Sequence, residues 1–123
     1  FFMFDIDNFK EINDMHGHMF GNAVLAMVAD KLRNAINGYG IAARWGGDEF
    51  IGILAVEPME TRRIISQFMD ALRNEKKDNG LTVTVSVGII EINEKFSMEQ
   101  VVKKADEVMY YSKENGRDRI TFC

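Results

Sequence analysis

Cysteine is almost missing from this chain. Cys123 is the only one, so no internal disulfide and no cysteine-cluster zinc site can form. Such usage makes the cytosol the default compartment, and a cytoplasmic location is expected. Proline is equally scarce: Pro58 alone interrupts the sequence. No apolar run approaches the ~20 residues that span a bilayer, so no membrane contact is expected of this domain. Phe1-Phe2-Met3-Phe4 is too short for a signal-peptide core, lacks a basic lead, and reads instead as a buried strand. Excess positive charge is lacking too. A net charge of −4 argues against non-specific nucleic-acid binding, but a few local cations can still hold a nucleotide. What is present is ordinary for one soluble domain, expected over 1–123: 123 residues, 46% hydrophobic and 28% charged.

Periodicity lays out the elements. Phe1 to Ile6 is a short apolar run ending in acids, a buried strand. Asn8 to Asp14 allows one or two helical turns with Phe9 and Ile12 as the apolar pair, and Gly17 and Gly21 bracket a break. From about Asn22, Val24, Leu25, Val28, Leu32 and Ile36 recur at helical spacing until Asn37-Gly38-Tyr39-Gly40 supplies a turn. A hairpin follows, roughly 41–45 and 50–55, around Gly46-Gly47-Asp48-Glu49. Pro58 suits the first turn of a third helix with the stripe Ile64, Ile65, Phe68, Met69 and Leu72. Lys76 to Gly80 is a polar exit loop. Leu81, Val83, Val85, Val87 and Ile89 alternate with Thr82, Thr84, Ser86 and Gly88, a central strand by period two. Ser97 caps a fourth helix carrying Val101, Ala105, Val108, Met109 and Ser112; Gly116 ends it, and Ile120-Thr121-Phe122 is an edge strand. The order β-α-α-β-β-α-β-α-β predicts an α+β fold, a mixed, mainly antiparallel sheet of about five strands flanked by helices.

Three polar groups stand out against this core. Asp5 and Asp7 close the first strand on the same side. Asp48 and Glu49 sit on the hairpin turn. If the first strand lies beside the hairpin, Asp5 and Asp48 converge, and hard oxygen ligands of that kind suit Mg²⁺ or Mn²⁺. Lys113 and Arg117, four residues apart near the end of the last helix, can reach one phosphate, and Lys10 is a further cation. Acids for metal together with cations for phosphate are the composition of a nucleoside-triphosphate site.

These residues resemble the GGDEF domain of diguanylate cyclases, a fold akin to the nucleotide cyclases and the polymerase palm, over nearly the whole chain. Asp5-Ile-Asp-Asn-Phe-Lys-Glu-Ile-Asn-Asp14 is similar to the family's DxDxFKxIND segment. Gly17-His18, Gly21 and Leu25 are similar to its GHxxGDxxL stretch, and Arg44-Trp-Gly-Gly-Asp-Glu-Phe50 carries the signature unaltered. Val85-Ser-Val-Gly88 resembles the next strand; Ala105-Asp106, Met109-Tyr110, Lys113 and Gly116-Arg117 resemble the closing ADxAMYxAKxxGRN block. The resemblance implies a nucleotidyltransferase of bacterial second-messenger signalling. Two GTP, one on each protomer of a transient head-to-tail homodimer, condense to cyclic di-GMP and pyrophosphate. It implies two divalent cations per site held by Asp5, the Ile6 carbonyl and Asp48, with Glu49 binding metal or helping deprotonate the 3′-hydroxyl. It also implies triphosphate held by backbone amides near Asn8 and Phe9 with Lys10, Lys113 and Arg117, guanine read by Asn13 and the residue at position 22, and nucleotide space left by Gly46 and Gly47.

Two departures carry expectations of their own. Position 22 is Asn22 where the family has Asp. A carboxylate accepts from both guanine donors; an amide has one acceptor and a donor, which also suits adenine. Relaxed purine selection is therefore expected, with GTP still the leading substrate. Asn37-Gly38-Tyr39-Gly40 replaces the family's RxxD inhibitory segment, so no product inhibition is expected there. The family's preceding LTxLxNR helix is not in these residues, and an upstream sensor domain is expected to lie outside them. Trp45, His16 and His18 read as packing or structural groups, Asp7 and Asp14 as turn or cap groups, Glu114, Asp118 and Arg119 as surface charge, and Met27, Met69 and Met109 as core. The competing functional reading is a GTP-binding module that signals through a protein partner without turnover.

Overall fold

The computed structural model describes residues 1–76 and 79–123. Its elements run β1 (Phe2–Ile6), α1 (Phe9–His16), α2 (His18–Ile36), β2 (Gly40–Gly46), β3 (Glu49–Leu54), α3 (Pro58–Asn74), β4 (Val85–Ile89), α4 (Met98–Glu114) and β5 (Arg119–Phe122). The predicted order and fold class hold. The sheet order is β2-β3-β1-β4-β5, antiparallel throughout except for the parallel β4–β5 pair. Lys77 and Asp78 of the predicted exit loop lie outside the described residues.

Strand parity divides the core into two layers. Even-numbered β1 residues Phe2, Phe4 and Ile6 face α2 and α3, with Phe50, Phe68, Val85 and Val87. The Phe4 ring lies 5.1 Å from Phe50 and 5.2 Å from Phe68, centroid to centroid. Odd-numbered Phe1 and Met3 face α4, packing with Val101, Ala105, Val108 and Met109. With both faces covered, β1 and β4 are buried along their whole length.

The local readings of Pro58 and Ser97 hold. Pro58 opens α3, and Ser97 accepts from the Gln100 amide while Gln100 bonds back to the Ser97 amide, a complete capping box. Three boundaries differ from expectation. Gly17, at φ 87°, is the whole break between α1 and α2; Gly21 lies inside α2, where a Cβ would sit 1.8 Å from Asn13 Oδ1. Gly21 is thus a packing glycine, letting the two helices close on Asn13. Only Val85–Ile89 of the predicted 81–89 strand joins the sheet; upstream of it, Thr82 bridges back to Lys76. Ser86 and Gly88 do not face solvent, because α4 lies on them: a Cβ on Gly88 would meet the Met109 amide nitrogen at 2.5 Å. Finally, α4 stops at Glu114, so Lys113 and Arg117 do not share a helical face; Arg117 follows in the left-handed region at φ 61°.

Candidate active site

The acids gather where the sheet brings β1 beside β3. Asp5 pairs with Glu49 across the ladder, and the Ile6 amide donates to the Asp48 carbonyl at 3.2 Å, fastening the hairpin turn to the end of β1. Gly47 takes φ 49° at the turn, which explains one of the two glycines. A Cβ on Gly46 would meet nothing within 4 Å, so no intramolecular contact demands glycine there. Arg44 Nε donates to the Gly47 carbonyl at 2.8 Å and braces the turn from the β2 side. Between Arg44 and Gly46 the register slips by one residue, a bulge at Trp45. Trp45 is 57% exposed, contrary to its reading as a packing group, because β2 is an edge strand exposed along its whole length.

Asp5 is 3% exposed, and its Oδ1 has no hydrogen-bond partner. Its other oxygen, Oδ2, meets Lys113 Nζ in an ion pair. Burial pushes the Asp5 carboxyl up to about 6; Lys113 pulls it down, and Asp48 and Asp7 push it up again. Half-buried Glu49 is raised above the ordinary carboxylate value, by burial first and then by Asp106 and Asp48. Among the described residues, no three His, Cys, Asp or Glu side chains cluster as a self-sufficient metal cage. A buried, orphaned carboxylate oxygen coupled to a second acid nonetheless fits a hard divalent cation of the kind that takes one or two protein carboxylates and completes its shell from phosphate.

The remaining predicted residues lie around this centre. Asn8 caps α1 in the left-handed region at φ 58°, and no side chain caps that end, so the first-turn amides of Phe9 and Lys10 stay open to an anion. Lys10 and Arg117 are exposed; Phe9 is half-buried. Asn13 holds a buried Oδ1 without a partner. Exposed Asn22 lines a groove of about 620 Å³ between α2 and β2, floored by Leu25, Ala29, Leu32 and Phe50 and rimmed by Arg33 and Arg44.

Sequence reasoning missed the support under these groups. Asp7 is no turn cap. Its carboxylate accepts from Thr84 Oγ1 at 2.7 Å, Ser86 Oγ at 2.6 Å and the Asp118 amide at 3.0 Å, tying the end of β1 to β4 and to the loop after α4. Asp118 is not free surface charge, because it also takes both Arg73 Nε contacts, at 3.0 and 3.1 Å. Spacing carries no sign of partners so remote in the chain; the only available signal was that Asp7 ends a strand.

The model of the family described as "Diguanylate cyclase, GGDEF domain" matches residues 1–119. The chain belongs to the GGDEF family. Among its GGDEF relatives, diguanylate cyclase A of Treponema denticola is 36% identical over 124 residues, 97% of this chain and 33% of that protein. The protein YtrP of Bacillus subtilis is 36% identical over 123 residues, 98% of this chain and 21% of its own length. Diguanylate cyclase SiaD of Pseudomonas aeruginosa, solved in complex with its activator SiaC, superposes with a TM-score of 0.93 at 32% identity, over 99% of this chain and 48% of that one. The chain thus spans about a fifth to a third of those curated relatives. Among the described residues, no helix is long and apolar enough to cross a membrane.

Proposed function

We propose that this domain is a diguanylate cyclase half-site, condensing GTP to cyclic di-GMP and pyrophosphate when two copies face each other. The observation that carries the reading is the meeting of Asp5, Asp48, Glu49 and Lys113 at the β1–β3 end, beside open amides at the start of α1. Asp5, the Ile6 carbonyl, Asp48 and Glu49 would hold two divalent cations, Mg²⁺ or Mn²⁺. When bound, such ions lower the pKa of the attacking hydroxyl and neutralise charge on the transferring phosphoryl group. Glu49, its carboxyl raised by burial, would bind metal or take the hydroxyl proton. The α1 amides, Lys10, Lys113 and Arg117 bind triphosphate oxygens, and Lys113 keeps Asp5 compensated until a cation does so. Gly46 and Gly47 leave the turn bare on its outer side. The base enters the groove between α2 and β2 that Asn22 lines, with Asn13 packed beside Gly21 next to it.

The chemistry of Asn22 points to relaxed purine choice. Mass spectrometry of products from GTP, ATP and their mixture, with Mg²⁺ or Mn²⁺ and a forced dimer as control, tests the whole reading. Cyclic di-GMP should dominate; nucleotide binding without product would establish the turnover-free signalling module instead. Asn22→Asp should raise the ratio of GTP to ATP initial rates about tenfold or more, the worth of one unmatched buried donor. An unchanged ratio removes position 22 from base selection. With Asn37-Gly38-Tyr39-Gly40 exposed and uncharged between α2 and β2, added cyclic di-GMP should bind only where GTP competes with it.

A further inference from the structure

Arg117 stands in an unusual backbone. It and Asp118 are consecutive non-glycine residues at φ 61° and 47°, a region L-residues rarely enter in succession. Surrounding contacts hold them there. The Arg117 amide donates to the Ser112 carbonyl at 3.0 Å, and Arg119 Nε donates to the Arg117 carbonyl at 3.0 Å. The Asp118 amide reaches Asp7, and the Asp118 carboxylate is gripped by Arg73 of α3, Nη2 to Oδ1 at 2.9 Å besides the two Nε contacts. Arg73 is itself steadied by Asp70, with Nη1 to Oδ1 at 2.7 Å. Among the described residues, no acid pairs with the Arg117 guanidinium. Arg117 itself is fixed only through its backbone and through its neighbour Asp118, and its charged head is left presented.

We propose that Arg73 and Asp118 are positioning residues: their bidentate ion pair holds the loop after α4 in its left-handed turn and so aims Arg117 at the nucleotide's outer phosphates. The inference rests on the reading above, in which Arg117 meets a triphosphate. It adds that α3, which offers nothing to the ligand directly, sets the affinity for the triphosphate tail. Asp7 makes the arrangement local to the site, since the carboxylate holding the Asp118 amide lies two residues beyond Asp5.

The test is calorimetric titration of the 123-residue chain with a non-hydrolysable GTP analogue and, separately, with guanosine, which lacks phosphates. Arg73→Ala and Asp118→Ala should each weaken the analogue about tenfold, the scale of one charge-assisted hydrogen bond, and leave guanosine unchanged. Asp118→Asn, which keeps the left-handed preference and one acceptor for Arg73, should stay within about threefold of the original. Arg73→Ala combined with Arg117→Ala should bind no more weakly than Arg117→Ala alone, because Arg73 acts only through Arg117. Losses that add in the double variant, or an Arg73→Ala affinity equal to the original while Arg117→Ala falls, overturn the positioning role and leave the phosphate reading standing. Arg117→Ala without effect on the analogue removes the phosphate reading, and the positioning role goes with it. Thermal melts accompany each titration. If Arg73→Ala does not fold, Asp118→Ala, which leaves α3 unaltered, makes the same comparison.

Discussion

At the scale of the residue, Asp5 is the group under most tension. Its carboxyl is raised from the ordinary 3.8 to about 6, and it is 3% exposed. The sign follows from linkage. A carboxyl raised on folding stabilises the fold below its unfolded value, and that contribution is lost as pH rises through the folded value. Between about pH 4 and 6 the cation-free domain should therefore lose stability, by at most about 3 kcal/mol. Asp5→Asn should melt higher than the original domain at pH 7.5 and equally at pH 4, and Mg²⁺ with GTP should stabilise the original but not the variant. A uniform shift at both pH values would remove the buried charge as the cause. Asp5 was legible from strand alternation, and Asp48 and Glu49 from the hairpin around the two glycines, although Glu49 opens β3 and does not lie in the turn. Asp7 and Asp118 were not, since each acts through a partner 45 to 111 positions away. Arg117 was legible as a cation but not in its conformation, which the ion pair with α3 sets rather than helical spacing.

At the scale of the element, β4 and α4 approach so closely at Gly88 that no side chain fits between them. A Cβ on Gly88 would fall 2.5 Å from the Met109 nitrogen and 2.7 Å from the Ala105 carbonyl oxygen, both backbone atoms of α4. Neither can swing away as a side chain could. Gly88→Ala should cost about 3 kcal/mol, read as a lower denaturant midpoint at unchanged slope. Since α4 carries Lys113 onto Asp5, nucleotide binding should weaken in the same variant; an unaltered midpoint would mean that the helix rides freely over the strand. Element types and order were readable from periodicity and caps. The starts of α2 and β4 were not, because tertiary contacts decided them: Asn13 against Gly21, and the Thr82–Lys76 bridge. Period two located β4 correctly as a central strand, but it could not show that α4 covers Ser86 and Gly88, as a strand covered on both sides has no solvent face to betray.

At the scale of the whole molecule, the proposed reading gives one domain the acids, cations and base groove for a single nucleotide. Joining two nucleotides symmetrically then needs a second copy. Turnover per protomer should rise in proportion to protein concentration below the dimer's dissociation constant, and a fused parallel coiled coil should abolish that dependence. Turnover independent of dilution would refute assembly from two half-sites. The slip at Trp45 has a consequence of a different kind. The indole is more than half exposed, whereas the extra backbone unit bends the ribbon that carries the acidic tip. Position 45 thus matters as a count rather than as a chemistry. Swapping tryptophan for serine should spare catalysis, while excising the residue altogether should straighten the ribbon and silence it, so the chain tolerates misspelling here but not a missing letter.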